Sequence, residues 1–327
     1  SLTDVENRMT WHSIIGKGKA WALNSGVYLS QAHYFINVDC DLVLAPNAIS
    51  NAIGQMEKNP DIGAATGYLV VTPSENKDSF LYTLSRLEFL EYVTVFGVGR
   101  AYQSQMNSLF TLSGAFSIFR REVLLKTYLY NQDTVSEDTE LTMQVYSQAE
   151  EYRVVTIQNA IAYLHPIESL SALYSQRVRW QRGELEASAL HLNLLKRSIL
   201  NFRQLSIQRI LIVDHTLALP RLIWLVFLPI LSNFGYSQSM IFLSYIVMYF
   251  FYLVIELLWV GTAYLYATPQ VRKTMTENLK YMPLMPIYRI TTFVFRVAGF
   301  ITALTDSFSW TVENPFDQTK EGINDLK

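Results

Sequence analysis

Cysteine is nearly absent: Cys40 stands alone among 327 residues. No disulfide can form within the chain, and that usage fits a reducing compartment for the soluble part. Charge is scarce too, with Asp, Glu, Lys and Arg at 17% of residues against about 25% in ordinary soluble domains. The formal net charge of −2 provides no global basic field, so nucleic acid is not expected as a partner. There is no internal repeat, no low-complexity tract and no signal peptide. The opening Ser1-Leu2-Thr3-Asp4 does not read as a natural start, and a longer protein is expected. What is plentiful is apolar surface, at 50% of residues with mean hydropathy +0.15. It is distributed unevenly. Up to about Leu200 the chain reads as a mixed soluble domain, and beyond it long apolar runs dominate, so one soluble domain plus a membrane region is expected.

Within the first part, Gly16-Lys17-Gly18-Lys19 opens a loop and Ala20 to Leu29 reads as a helix. Tyr34 to Val38 (YFINV) is a short run with β-branched residues, read as a buried strand that ends in Asp39-Cys40-Asp41. Pro46 and Asn47 start a helix through Met56, Ile62 to Thr72 contains a strand, and Ser79 to Phe96 has helical spacing. Gly114 to Phe119 is small and apolar. A polar turn near Asn131 to Asp133, a helix from Glu137 and a strand at Arg153 to Ile157 follow. Strands alternating with helices predict an α/β layer with a largely parallel sheet.

Ile210 to Leu231 is long enough to cross a bilayer, which takes about 20 apolar residues. It carries Asp214, His215 and Arg221, so part of it must face protein or water. Ile241 to Ala267 is a stronger span, interrupted only by Glu256 and flanked by Tyr and Trp anchors. Asp214, His215 and Glu256 are read as partners of Arg221, or as lining for a passage. Leu284 to Leu304, with Arg289 and Arg296 on one helical face, either spans or lies in the interface. Lys196, Arg197, Arg203 and Arg209 precede the first span, and Arg272, Lys273 and Lys280 follow the second. The connector Ser232 to Ser239 is uncharged. That asymmetry predicts a multi-pass protein of the plasma membrane with its soluble domain in the cytoplasm.

Three short motifs could carry chemistry, and each also has a plain structural reading. Asp39-Cys40-Asp41 falls where a strand ends, the place where open α/β sheets bind ligands. Two carboxylates on such a turn can converge on a hard divalent cation, or they can cap the next helix. Ser136-Glu137-Asp138 opens a helix. Acidic residues favour that end, and Thr134 with Glu137 has capping-box spacing. Asp138 could equally be a general base projected into a pocket. Gln176, Arg179 and Trp180 fall at i, i+3 and i+4, on one helical face. Arg suits phosphate oxygens, Trp offers a flat platform to a pyranose ring, and Gln hydrogen-bonds polar groups. An interfacial helix meeting lipid headgroups would use the same residues. His165-Pro166 reads as a strand end that packs.

Taken in order, the D-x-D at 39–41, the S-E-D at 136–138 and the Q-x-x-R-W at 176–180, just before apolar spans, resemble the processive branch of the family 2 glycosyltransferases. That branch comprises cellulose, chitin, hyaluronan and poly-N-acetylglucosamine synthases. Gly18-Lys19-Ala20 with Ala22-Leu23-Asn24, and Gly114 leading to Phe119-Arg120-Arg121, are further similarities. The resemblance implies a GT-A-like α/β domain followed by a helical membrane region. It implies an inverting, metal-dependent transfer from a nucleotide-diphosphate sugar, most simply a UDP-sugar, to a growing polysaccharide. Asp138 would be the catalytic base. Asp39 would contact the nucleotide or its metal, and Asp41 would coordinate that metal, Mg2+ or Mn2+. Gln176 and Arg179 would hold the diphosphate and Trp180 would line the acceptor entrance. Phe119 and Arg120 would lie in a segment beside the acceptor site.

The family's early strand and paired aspartates are not found before Gly16. The domain is therefore expected to be truncated at its N-terminus, or completed by a second chain. The size resembles the compact poly-N-acetylglucosamine or hyaluronan type. The expected division is a catalytic domain at 1–170, amphipathic interfacial helices at 171–209, a membrane region at 210–304 and a polar tail at 305–327. Two other functions stay open: transfer of one sugar to a lipid phosphate, and a non-catalytic membrane subunit.

Overall fold

The computed structural model describes residues 18–75, 80–191 and 223–305. Most of the 210–231 run, with Asp214, His215 and Arg221, lies outside the described residues. So do the basic residues 196, 197, 203 and 209 and the tail from 306.

Helix α1 (Lys19–Leu29) leads into strand β1 (Tyr34–Val38), and the D-x-D turn then connects to the short β2 (Leu42–Leu44). Helix α2 (Ala48–Lys58) buries Ala48, Ala52 and Met56 at spacings of four, the stripe of an amphipathic helix. Strand β3 (Ile62–Val71) is buried along its whole length. Helix α3 (Phe80–Tyr92) passes without a break into a π-helical stretch, Val93–Gly99, and then α4 (Arg100–Gln105). Thr94 Oγ1 donates back to the carbonyls of Leu90 (3.2 Å) and Glu91 (2.8 Å). Such back-bonding, with Gly97 and Gly99 following, loosens the regular α-ladder. Strand β4 (Phe116–Arg120), helix α5 (Arg121–Leu124), helix α6 (Glu137–Gln148) and strand β5 (Arg153–Leu164) complete the layer.

The sheet has the order β1-β4-β3-β5-β2. Of its pairings, β3 with β5 is parallel, whereas β1 with β4, β3 with β4 and β2 with β5 are antiparallel. The expectation of a largely parallel sheet is therefore corrected to a mixed one. Alternation of helices and strands does not set direction when one connection carries several helical segments, as 80–105 does. Such a connection can re-enter the sheet from either end. The reading of β1 as buried is also corrected: most of it is half-buried, because it is an edge strand. Strand β5 runs past the expected end at Ile157, and its register against β3 shifts between Gly67 and Tyr68. The polar Gln158-Asn159 pair marks that bulge, where the apolar pattern breaks and then resumes.

Helix α7 (Leu170–Leu190) starts at Ser169, whose side chain accepts a 3.0 Å hydrogen bond from the Ala172 N–H. Beyond an irregular helical stretch at 223–234 come α8 (Gln238–Tyr266), α9 (Pro269–Asn278) and α10 (Met285–Thr305). Two helical segments, Gln238–Tyr266 and Pro269–Ala303, are long and apolar enough to cross a membrane. One face of α8 leaves Phe242, Val247, Phe250, Val254 and Leu258 exposed. Another buries Val260 and Ala263 in the same cluster that holds Met275, Met285 and Tyr288, together with Tyr68, Phe89 and Ile157 of the sheet layer. Helix α10 lies along α7 so closely that a Cβ on Gly299 would meet the Val178 carbonyl at 2.9 Å. The apolar helices and the α/β layer thus share one core, in which each fully buried Leu or Phe contributes roughly 1.5–3 kcal/mol.

Candidate active site

A cavity of about 970 Å³ opens at the ends of β1, β3 and β5 and is closed on its far side by α7, α8 and α10. Its lining includes Asp39, Asp41, Asp138, Gln176, Arg179 and Trp180. Every residue singled out by the three motifs is therefore brought to a single cavity, from three separated stretches of chain.

The D-x-D turn is fixed by the backbone, where the Asp39 N–H donates to the Ala115 carbonyl at 2.9 Å. The Asn37 side chain, buried at the end of β1, donates to the Gly114 carbonyl at 2.8 Å. The same glycine links the two acidic motifs: its N–H donates to Asp138 Oδ2 at 2.8 Å. Lys19 completes the link, 2.8 Å from Asp39 Oδ1, 3.5 Å from Glu137 Oε1 and 3.3 Å from the Gly114 carbonyl. Burial alone would lower the Lys19 ammonium. The Asp39 hydrogen bond and the charges of Glu137, Asp39 and Asp138 outweigh it, and the pKa is raised. Glu137 is raised by burial and by the neighbouring Asp138 charge, with Lys19 opposing. In the sequence Lys19 stands out only as part of the Gly18-Lys19-Ala20 similarity. Its value comes from its place at the start of α1, where Gly18 adopts a positive φ of 95°.

Asp138 sits in the first turn of α6, behind Ser136. The capping-box reading of Thr134 with Glu137 is corrected. Ser136 occupies the N-cap without a side-chain capping hydrogen bond, and Thr134 Oγ1 is buried without a partner among the described residues. Asp138 instead accepts from the Gly114 and Thr139 N–H groups, the latter at 2.7 Å. Gly183 of α7 sits against Ser136, with no room for a Cβ, so the start of α6 is set by the helix that carries Gln176, Arg179 and Trp180.

On α7, Arg179 is exposed to the cavity while Gln176 and Trp180 are half-buried. Arg177, between them in sequence, also lines the cavity but is 2% exposed. Its guanidinium stacks 4.5 Å from the Trp180 ring centroid and pairs with Glu91 at 2.6 Å. Glu91 also meets Arg289 at 3.0 Å and accepts from Tyr288 at 2.7 Å, and Arg289 pairs with Glu256 at 2.9 Å. Glu256, read as a partner of Arg221 or as lining for a passage, pairs among the described residues with Arg289, and both line the cavity; Arg221 lies outside those residues. Spacing could not reveal this network, because its members lie on four helices far apart in sequence.

The segment from Gly114 reaches the cavity at its start but not at Phe119 and Arg120, and one further reading, that of His165, is corrected. Phe119 is buried against Tyr130, and Arg120 donates to the Ile62 (2.8 Å) and Met56 (2.6 Å) carbonyls, because alternate residues of β4 face the two sides of the sheet. His165 does follow the end of β5, but it is exposed rather than packed.

Among the described residues no group of three or more His, Cys, Asp or Glu is arranged to hold a metal ion. Asp39 and Asp41 are nevertheless a donor set that fits a hard cation held jointly by one or two carboxylates and substrate phosphates. Asp41 is exposed, and Asp39 is half-buried and paired with Lys19.

Residues 34–268 match the model of a family described as glycosyl transferase family group 2. The chain belongs to that family, as the order of its three motifs leads one to expect. A poly-beta-1,6-N-acetyl-D-glucosamine synthase of Staphylococcus epidermidis is 28% identical over 169 residues, 52% of this chain and 39% of that one. The synthase of the same description from Staphylococcus aureus is 27% identical over 167 residues, 51% of this chain and 39% of its own. The chain thus spans about two-fifths of the length of the curated relatives it matches. Among solved structures, a mannosyltransferase from Pyrobaculum calidifontis in complex with GDP-Man and Mn2+ superposes with a TM-score of 0.48 and 14% identity. The overlap covers 88% of this chain and 67% of that one.

Proposed function

We propose that this chain is the catalytic and membrane-anchoring part of a processive glycosyltransferase, which adds sugars from a UDP-sugar to a growing polysaccharide on the cytoplasmic face of a membrane. The observation that carries the reading is the convergence of Asp39, Asp41, Asp138, Gln176, Arg179 and Trp180 on one cavity, against apolar helices long enough to cross a bilayer. The relatives named as poly-beta-1,6-N-acetyl-D-glucosamine synthases support UDP-N-acetylglucosamine as the donor to test first.

In this reading Asp138 accepts the proton of the acceptor hydroxyl as that oxygen attacks the anomeric carbon from the face opposite the diphosphate. One base suffices for such a direct, inverting displacement. The two N–H bonds to Asp138 hold its carboxylate in place before the acceptor arrives. Arg179 and Gln176 bind the diphosphate, where negative charge builds as the glycosidic bond breaks. Trp180, braced by the Arg177 guanidinium, offers its ring to the acceptor sugar. Asp39 and Asp41 would hold Mg2+ or Mn2+, which supplies Lewis-acid stabilisation of the leaving diphosphate. Lys19 keeps the carboxylates of Asp39 and Glu137 from repelling one another while the site is empty of substrate.

The direct test uses the full-length protein in membranes with radiolabelled UDP-N-acetylglucosamine, followed by sizing of the product. A polymer that grows by many units per engagement is expected. A single sugar on a lipid phosphate would replace processive synthesis with one-step transfer, and absence of transfer from any UDP-sugar would leave a non-catalytic subunit.

A further inference from the structure

One wall of the cavity has no role in the mechanism above. Helix α4 follows the π-helical stretch and presents Arg100 and Gln103, one turn apart, to the cavity. Arg100 is 6% exposed, and its Nη1 is buried without a hydrogen-bond partner among the described residues. Among the described residues its guanidinium forms no ion pair; it lies over the Phe96 ring, 4.1 Å from the centroid. A buried charge without a counter-ion is costly and rare, and it calls for a ligand that completes it. Among the described residues, other atoms lining the cavity also lack hydrogen-bond partners, including Oε1 of Gln103, Oε1 of Gln176 and Nε of Arg177.

The unmet groups describe their ligand. An apolar molecule satisfies none of them, and an anion would answer the guanidinium while leaving both amide oxygens opposed. A hydroxyl both donates and accepts, so it satisfies the guanidinium and either end of each amide. The chemistry is that of a polyhydroxylated sugar. Its side of the reaction follows from Asp138. Burial pushes the Arg100 guanidinium down to about 10, and the largest influence opposing that is the negative charge of Asp138. Arg100, Gln103 and Asp138 line the same cavity, so the unmatched wall faces the space that the proposed base also lines.

We infer that Arg100 and Gln103, beside Gln176 of the diphosphate-binding set, form a subsite for the terminal sugar of the acceptor, holding its hydroxyls so that one of them is presented to Asp138. The inference rests on the proposed reading of the cavity. It assigns substrate binding to α4, a segment outside the three motifs. Phe96 fixes the plane of the guanidinium, so Lys at position 100 keeps the charge but loses the fork.

The test titrates the full-length protein in detergent with a β-1,6-linked N-acetylglucosamine pentamer, with cellopentaose and with UDP. Binding is read by quenching of tryptophan fluorescence, since Trp180 and Trp259 line the cavity. Arg100→Lys and Gln103→Glu are compared with wild type. Gln103→Glu places a carboxylate one turn from the guanidinium, so it should raise the melting temperature while weakening the preferred pentamer at least tenfold. Arg100→Lys should weaken the pentamer comparably, and both variants should bind UDP within twofold of wild type. Unchanged pentamer binding in both variants would mean that only water completes these groups, and would overturn the subsite. A parallel loss of UDP affinity would move Arg100 to the donor phosphates and overturn it as well. Sugar transfer by wild type, measured in the same preparation, separates the two ideas. Active wild type with indifferent variants sinks the subsite alone, whereas wild type that binds neither UDP nor pentamer sinks the reading beneath it.

Discussion

The Arg289 guanidinium lies 3.0 Å from the Glu91 carboxylate, although 198 positions separate them in the chain. This contact, with Arg177 on the other carboxylate oxygen at 2.6 Å, ties α3 of the sheet layer to α7 and to the apolar helix α10. Burial would raise Glu91, and the two guanidinium charges overcome that and hold it below the usual carboxylate range. Replacing Glu91 by Ala leaves Arg177 and Arg289 facing each other without their shared counter-charge. We expect a loss of about 3–5 kcal/mol, measured by denaturant unfolding of the detergent-solubilised protein. A loss below about 1 kcal/mol, the range of exposed pairs, would show that the contact does not join the two parts.

Asp138→Asn keeps the shape of the side chain and removes its basicity. Transfer should fall by about 10²- to 10⁴-fold, with UDP affinity and melting temperature close to wild type. Near-normal turnover in this variant would remove Asp138 from the mechanism.

Asp41→Asn should weaken Mn2+-dependent UDP binding, followed by calorimetry, by about tenfold or more. A chelator should reduce wild-type binding to the level of the variant and change the variant little. If the chelator leaves wild-type binding intact, the D-x-D turn holds no metal.

Glu88 supplies a pH dependence whose sign can be worked out. It is buried in α3 and accepts the Ile167 N–H at 2.9 Å, just before α7. Burial pushes its pKa up to about 7. Between the ordinary glutamate range and pH 7 the native state retains a proton that the unfolded chain has lost, so stability falls as pH rises through that window. The difference from this group alone is about 3 kcal/mol. Glu88→Gln should remove it, and melting temperatures of the two proteins should diverge from pH 5 to pH 8 in favour of the variant. Parallel curves would show that Glu88 is ionised in the native state throughout.

Gly183→Ala tests the contact between α7 and the start of α6. The added methyl must displace Ser136, two residues before Asp138, so the turnover rate should drop by about tenfold or more while UDP affinity stays near wild type. A one-ångström misplacement of a reacting group is enough for such a loss. Equal falls in both quantities would indicate general disruption.

Much of this protein was legible before any coordinates. The β1 strand, the turn at 39–41, the helix from Glu137 and the shared face of Gln176, Arg179 and Trp180 are local patterns, set by residues within a few positions of one another. Periodicity and turn chemistry report such patterns directly. Their order along the chain also pointed to the family. Strand direction, the extension of β5 past Gln158-Asn159 and the facing of Phe119 and Arg120 were not legible, because each depends on which strand lies alongside.

The sequence by itself therefore determined which short elements form, which side chains could do sugar-transfer chemistry and where apolar helices begin to dominate. Tertiary structure alone decided that Lys19 bridges two acidic motifs, that Arg177 and Arg289 share Glu91, and that Arg100 is buried without a counter-ion among the described residues. The physical reason is range. Helix faces and turns are settled by neighbours in sequence, whereas ion pairs and cavities are settled by which distant segments share a core.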